Sequence, residues 1–423
     1  MTIIRWFLSK TVREAVAMKR HVWKLLQHQR DILKPDAVEK IKSAITEVDR
    51  VLRDESPLPI LKTQVMRLET AANENLKPYP NAGYRENVEV LLVAIAVAMG
   101  IRTFILQPFK IPTGSMQPTL YGVTSVPDFS KINFRMGDQA RIQTEVAEQL
   151  KFRNALTVPT GWDRVREWFA GDSYVRFVAD VDGQMERISP PVGIGRGGSI
   201  FKLYQKFVFA GKEHTLWFPP DMGGSDLGTR AGIQPDHRYK RGEDVIRMRA
   251  RSGDHLFVDR LTYNFRAPKR GEIIVFETRG IYPLPQDQFY IKRLVALGGE
   301  HVQIGNDRHL RINGHRLDAA TPHFEFVYGF DPKSAPTDSQ YSGHVNQAVA
   351  SQIGYPYSIA PNFPDEISAF DLPAKNLMVM GDNTMNSFDS RGWGSFPANN
   401  VIGRSCFVYW PLSSRFGWNN VQH

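Results

Sequence analysis

Three hydrophobic patterns succeed one another along the chain. Up to about residue 80, apolar positions recur at helical spacing: Val22, Leu25, Leu26, Ile32 and Leu33, then Ile41, Ile45, Val48, Val51 and Leu52. Pro35-Asp36 opens the second helix and Pro57-Leu58-Pro59 closes it, while a third runs from about Ile60 to Leu76 and stops at Lys77-Pro78-Tyr79-Pro80. Residues 1–86 therefore read as a helical hairpin or small bundle, with charged faces turned to solvent or to lipid headgroups. The second pattern is a nearly unbroken apolar run from Val88 to about Leu106. Crossing a bilayer takes roughly 17–25 such residues, so 87–107 is assigned as a membrane span, the alternative being a buried helix of a soluble domain. Glu89 and Arg102 lie near its ends, where long side chains reach the interface. Beyond it the period drops to two. Helices are expected at about Asp138–Leu150 and Trp162–Phe169, and a strand at Tyr174–Ala179. After Gly253, the runs His255–Asp259, Glu272–Phe276 and Phe289–Val295 predict a curved antiparallel sheet, so the chain is mainly β behind a helical leader region.

A chain of 423 residues exceeds one ordinary domain, and 42% hydrophobic content excludes a polytopic membrane protein. The net charge of +9 suits nucleic acid or an anionic membrane surface. No zinc-finger spacing, aromatic RNA-binding signature or helix-turn-helix pattern is present, so the membrane is preferred and no nucleic-acid partner is expected. Charge does not orient the span, because Lys77 and Arg85 precede it while Lys110, Lys131 and Arg135 follow. The apolar run Ile3–Leu8 is too short for a cleavable secretion leader. The single cysteine, Cys406, forms no intramolecular disulfide and reads as a small buried hydrophobe on a strand. Gly193, Gly195, Gly197 and Gly198 form a loop rather than a phosphate cradle, since no Lys-Ser/Thr follows them. No metal-ligand spacing is found, and no cofactor is expected.

The candidate chemistry begins at Ser115, in the Gly/Pro-bracketed run Pro112-Thr113-Gly114-Ser115-Met116-Gln117-Pro118-Thr119-Leu120. A serine hydroxyl is a poor nucleophile until a base takes its proton. None of the eleven histidines sits in a triad context. A lysine serves only when burial keeps its amine neutral near working pH. Lys292 fits, flanked by Phe289, Tyr290, Ile291, Leu294 and Val295. Alternation sends Arg293 to the opposite face, where it is expected to meet solvent.

Three separated segments in order resemble the boxes of bacterial type I signal peptidases, membrane-bound Ser/Lys endopeptidases. They are the run around Ser115, then Tyr290-Ile291-Lys292-Arg293, then Gly381-Asp382-Asn383 with Asn386-Ser387-Phe388-Asp389-Ser390-Arg391. The resemblance implies curved antiparallel sheets of the type shared by signal peptidases and self-cleaving repressors. It makes Ser115 the nucleophile and Lys292 the general base, with the Thr113 hydroxyl and the Ser115 N–H as oxyanion hole. Ser387 would orient the lysine, Asp389 and Arg391 would form a supporting ion pair, and no metal or cofactor takes part. Phe109, Ile111, Pro112, Met116 and Ile291 would line shallow pockets for small residues one and three positions before the cut, the Ala-x-Ala pattern of exported precursors. Topology follows from the same likeness: amino terminus in the cytoplasm, catalytic part outside the bacterial inner membrane, with signal-peptide-bearing precursors and the bilayer as partners. The catalytic β domain is taken as 108–120 and 251–413, variable between about 305 and 373, and interrupted by an inserted lobe at 121–250. That lobe is expected to be β-rich, to have adjacent ends and to be dispensable for peptide-bond hydrolysis. Its aromatic residues Phe201, Tyr204, Phe207, Trp217 and Phe218 form either its core or a surface for precursor or lipid. Two departures stand out: Thr113 where many relatives have serine, and Thr384 where arginine is usual. A dedicated processing peptidase for one surface or pilus-like substrate is the enzymatic alternative, and a non-catalytic scaffold for exported chains is the other.

Overall fold

The computed structural model describes residues 9–77, 82–132, 139–194, 201–234, 236–329, 343–355 and 357–418. The apolar run Ile3–Leu8, the Lys77-Pro78-Tyr79-Pro80 stop beyond Lys77, and Gly195, Gly197 and Gly198 lie outside these residues. The chain forms two compact units, Met1–Ala96 and Val97–His423.

In the first unit, helices α1 (Lys10–Gln29), α2 (Pro35–Arg53) and α3 (Leu58–Asn75) bury the apolar stripe that the sequence displays. Ser9 caps α1 by accepting a hydrogen bond from the Val12 N–H, and Pro35 starts α2. Leu26, Ile41, Val48, Leu61 and Leu68 form the wholly buried centre. Gln29, also buried, fixes the exit of the bundle: its amide donates to the Lys77 carbonyl and accepts from the Lys77 N–H, both at 3.0 Å. Ile32 departs from the expectation. It falls in the turn after α1 and is exposed.

Helix α4 (Ala82–Phe104) contains one stretch, Glu86–Phe104, long and apolar enough to cross a membrane. Its side chains Val90, Leu91, Leu92, Val93 and Val97 are exposed, as a lipid-facing helix requires. The helix stops at Phe104 rather than near residue 107, because Gln107 precedes Pro108 and is steered to extended backbone. Leu106 and Gln107 already pair with Asp259 and Val258 as part of strand β1 (Leu106–Lys110).

The insertion follows the serine-bearing loop. Strands β2 (Thr124–Val126), β3 (Asp172–Val178) and β9 (Asp244–Arg251) form one sheet in the order β2-β9-β3. Strands β4 (Gly183–Ile188), β5 (Val192–Ile194), β6 (Phe201–Phe209), β7 (Lys212–Trp217) and β8 (Arg238–Tyr239) form another. Helices α5 (Gln139–Ala155) and α6 (Gly161–Phe169) extend the two expected helical stretches by a few residues. Thr124 lies opposite Arg251, so the ends of the lobe are adjacent. Phe207 belongs to its core, whereas Trp217 and Phe218 are exposed. The lobe is also tied to the strand leading to Ser115, because Asp221 pairs with both Lys110 and Lys202. It is less separable than an appended module.

The main sheet contains β1, β10 (His255–Asp259), β11 (Ile273–Glu277), β12 (Phe289–Ala296), β17 (Asn376–Met380), β18 (Phe396–Pro397) and β19 (Val401–Trp410), with β20 (Gly417–Trp418) on β19. Its order is β1-β10-β19-β11-β12-β17-β18, and every pairing is antiparallel. Register shifts on β10, β11 and β12 mark bulges, which bend the sheet. Both faces are covered. Ile274 and Phe276 pack with Leu294, Val379 and Phe396 on one side, while Ile273 and Val275 meet Ile111, Met116, Leu120 and Val408 on the other. Strands β13 (His301–Ile304), β14 (Leu310–Ile312), β15 (His315–Arg316) and β16 (Ala369–Asp371) form a sub-lobe sheet over a core including Phe324, Val345 and Phe363. Cys406 lies on β19, half-buried, with its thiol donating to the Phe257 carbonyl at 3.2 Å; burial pushes the thiol up to about 11, so it stays protonated.

Gly253, between β9 and β10, lets two backbones touch: a Cβ there would lie 1.9 Å from the Ile111 carbonyl oxygen. Gly253→Ala should therefore displace the strand that leads to Ser115. The expected loss is about 1–3 kcal/mol, read by denaturant unfolding. Peptidase activity should fall with it, and an unchanged unfolding midpoint would contradict the close approach.

Candidate active site

Ser115 is held by a loop anchored at both ends. The Ile111 N–H donates to the Asp254 carbonyl at 2.9 Å, and the Tyr121 N–H donates to the Asp254 carboxylate at 2.7 Å. Arg415 grips the same carboxylate at 2.9 Å and lies over the Tyr121 ring. Met116 and Leu120 are wholly buried beneath the loop, so the turn is pinned to the core on either side of its serine. Asn383 fixes the crest. Its N–H donates to the Ser115 carbonyl at 3.1 Å and its side-chain amide to the Gly114 carbonyl at 2.9 Å.

Strand β12 brings Lys292 to this loop. Both groups are buried, and Lys292 Nζ donates to Ser115 Oγ at 2.7 Å and to the Ile291 carbonyl at 3.1 Å. The amine also lies 5.7 Å from the centre of the Tyr290 ring. Burial lowers its pKa to about 8, against the pull of Asp389 and Asp382 and with help from Arg391. An amine poised there, touching a serine hydroxyl, can take its proton near neutral pH.

The expectation for Arg293 is overturned. The residue is 3% exposed and binds Asp382 at 2.6 and 2.7 Å through Nη2 and Nε, while Nη1 donates to the Gly271 carbonyl at 2.8 Å. Alternation does send it to the face opposite Lys292, but the sub-lobe covers that face, and Phe324 lies against the guanidinium. Thr119 Oγ1 donates at 2.5 Å to the Asp382 oxygen that Arg293 Nη2 also binds, joining the serine loop to the pair. Arg293, Asp382, Asn383 and Thr119 complete the network around Ser115 and Lys292, and sequence reasoning missed all four. The Gly-Asp-Asn run was visible but carried no assigned role.

Asp389 and Arg391 form the second pair as expected, both fully buried, at 2.9 Å. Burial opposes ionisation of Asp389, but Arg391 and the Gly381 N–H outweigh it and hold the carboxyl below its usual range. Ser387 is not placed as expected. Its buried side chain lies toward Asp389 and helps keep that carboxylate charged, while Lys292 donates to Ser115 and the Ile291 carbonyl. Gly381 permits this crowding, because a Cβ there would lie 2.2 Å from Ser387 Oγ. Thr113 is exposed beside the serine turn. Phe109, Pro112 and Ile291 keep accessible surface, and Phe109 meets Phe289 edge-to-face at 5.4 Å. Met116 is a core residue rather than a pocket wall, and Ile111 is only 2% exposed.

Breaking a buried pair from one side leaves a bare charge, which typically destabilises by about 3–5 kcal/mol. Asp382→Asn should show a loss of that size in chemical denaturation, whereas Arg293→Met combined with Asp382→Leu should recover most of it. Lys292 makes a separate prediction. Its folded pKa lies below the unfolded value, so the fold carries the strain of a buried ammonium below pH 8 and is relieved of it as pH rises from about 8 to 10.5. Lys292→Met should stabilise the protein at pH 7 by about 3 kcal/mol, with the gain vanishing above pH 10.

Residues 84–133 and 246–410, about half of the chain, match the family described as signal peptidase, peptidase S26. The match leaves out residues 134–245, most of the inserted lobe. The chain is similar to a signal peptidase I of Leptolyngbya laminosa, 30% identical over 44% of this chain and 74% of that one. It is also similar to a signal peptidase I of Pseudomonas fluorescens, at 30% over 38% of this chain and 60% of the other. Thylakoidal processing peptidase 1 of Arabidopsis thaliana is 29% identical over 38% of each chain. The motifs occur in order, the residues they name converge in one buried site, and the match extends over both halves of the split β domain: the chain belongs to the signal peptidase family, peptidase S26, and is a serine peptidase.

Proposed function

We propose that the protein is a membrane-anchored endopeptidase that removes amino-terminal signal peptides through a Ser115/Lys292 dyad. The observation that carries this reading is the 2.7 Å contact between a buried serine hydroxyl and a buried lysine amine whose pKa is about 8. In the proposed reaction the neutral Lys292 amine takes the Ser115 proton as Oγ attacks the scissile carbonyl. The oxyanion receives the Ser115 N–H and the Thr113 hydroxyl. The lysine ammonium then protonates the leaving amine, and the neutral amine next activates the water that cleaves the acyl-enzyme. Asp389–Arg391 and Asp382–Arg293 support the base, and Asn383 holds the nucleophile's loop. Phe109, Pro112 and Ile291, over Ile111, limit the cleft to small side chains, which is the basis for expecting Ala-x-Ala sites. Residues 108–120 and 251–413 are the proposed catalytic domain, 121–250 the inserted lobe, and 87–104 a single span that leaves residues 1–86 in the cytoplasm and the active site outside a bacterial inner membrane.

Ser115→Ala and Lys292→Ala should each reduce cleavage of a precursor with an Ala-x-Ala site by at least 10³-fold, as measured in detergent on folded protein. Undiminished turnover in either variant would remove the dyad. Thr113→Val should lower kcat by about 10²–10³ with little change in KM. The rate should rise with pH to half its maximum near pH 8, as Lys292 loses its proton. A midpoint near 6.5 would indicate a histidine instead. Replacing either alanine of the site by phenylalanine should abolish cutting, and protease added to spheroplasts should digest the part after Phe104 while sparing residues 1–86.

A further inference from the structure

Thr384 follows Asp382 and Asn383 at the end of β17, and it is fully buried. Its hydroxyl oxygen accepts two hydrogen bonds from different parts of the molecule. Arg391 Nη1 donates at 2.7 Å, and the Val345 N–H donates at 3.0 Å. The Thr384 carbonyl accepts from Arg391 Nη2 at 2.7 Å. With Nε and Nη2 on Asp389 and Nη1 also directed at the Val345 carbonyl, every N–H of this guanidinium is engaged.

Val345 lies in a strap, His344–Asn346, whose three residues are wholly buried and held by the sub-lobe. The His344 N–H donates to the Arg308 carbonyl at 2.9 Å, and the His344 ring meets the Tyr328 hydroxyl at 2.9 Å. The Asn346 amide donates to the Ile304 carbonyl at 3.0 Å, and its oxygen accepts from the Val349 N–H at 2.8 Å. The strap is therefore part of the sub-lobe, and the Val345 peptide reaches Arg391 through the threonine hydroxyl, by a short bond on each side, and directly through its carbonyl at a longer 3.4 Å.

We propose that Thr384 is a positioning residue for the base: its hydroxyl clamps Arg391 between the sub-lobe strap and Asp389, and so sets the charge that Lys292 experiences. The inference rests on Lys292 being the base, but its geometry stands without that reading. Among the described residues, the charged groups facing Lys292 are Asp389 and Asp382, which favour the ammonium, and Arg391, which opposes it; the Tyr290 ring, the Ser115 hydroxyl and the Ile291 carbonyl also touch the amine's surroundings. The strap adds only His344, which burial holds neutral at about 3. When the threonine oxygen is removed, Nη1 loses its closest acceptor and Arg391 shifts from its bidentate grip on Asp389. The carboxylate then acts on Lys292 with less compensation, and the ammonium becomes easier to keep.

The test is Thr384→Val in the full-length protein, with Thr384→Ser as the conservative control. Two pH titrations are read: the rate of precursor cleavage, and the reductive methylation of the Lys292 amine followed by mass spectrometry. In Thr384→Val both midpoints should move up by about half to one pH unit, a three- to tenfold loss of rate at pH 7, with KM little changed. Thr384→Ser should return both midpoints to the wild-type position. A folded Thr384→Val protein with an unshifted methylation midpoint overturns the proposal, whatever its rate. A shifted methylation midpoint with an unshifted rate profile keeps the role of Thr384 and removes Lys292 as the base. If the valine variant does not fold, Thr384→Cys, which keeps a weak acceptor of similar size, should show the same displacement in part, and no displacement there counts against the proposal equally.

Discussion

A lysine amine can rest on a serine hydroxyl inside a protein only if every nearby carboxylate is already claimed. Two aspartates influence Lys292, and either one left free would hold it as an ammonium. Arg391 takes Asp389 and Arg293 takes Asp382, each in bidentate geometry. The lysine is left with a hydroxyl, a carbonyl and an aromatic face. Burial then outweighs what remains of the aspartates' pull. The rest of the domain meets the demands of this arrangement, because two buried arginines need ten N–H acceptors placed with care.

Those acceptors come from segments far apart in sequence, and this explains the order of the strands. Strand β12 supplies the lysine and one arginine, β17 runs into the Asp-Asn-Thr sequence, and the Gly271 carbonyl joins from the turn before β11. Three consecutive residues divide the work. Asp382 binds Arg293 and Thr119, Asn383 holds the Gly114 and Ser115 carbonyls, and Thr384 receives Arg391. A one-residue slip of β17 against β12 would exchange their directions and dissolve all three sets.

Much of this was legible in the sequence. Lys292 announced itself by its apolar flanks, whereas Asp389 and Arg391 taken alone read as an ordinary turn, and only the resemblance of the three motifs to signal peptidases made them a pair. Arg293 did not. Period-two reasoning gave its direction correctly but not what lay there, since the covering Phe324 belongs to a sub-lobe folded from residues downstream. Met116 misled for a related reason: next to a nucleophile it reads as a pocket wall, whereas the loop turns it inward. At Leu106 composition carries no signal, because an apolar residue suits the end of a helix and the start of a strand alike; only Pro108 marks the change. Contacts within an element were readable, and contacts made by the return of a distant segment were not.

The attachment of the inserted lobe has a mechanical consequence. A domain joined by two loose linkers hinges, and forces on it are absorbed there. This lobe leaves through β2 and returns through β9, cross-linked from Thr124–Arg251 to Val126–Arg249. Strand β9 then continues into β10 with only Ser252, Gly253 and Asp254 between them. His255, first in β10, lies opposite Lys110, five residues before Ser115. A pull on the lobe therefore loads the backbone hydrogen bonds in shear and is passed on as strain rather than taken up by rotation. The lobe is a stiff lever with its short arm at the Ser115 loop.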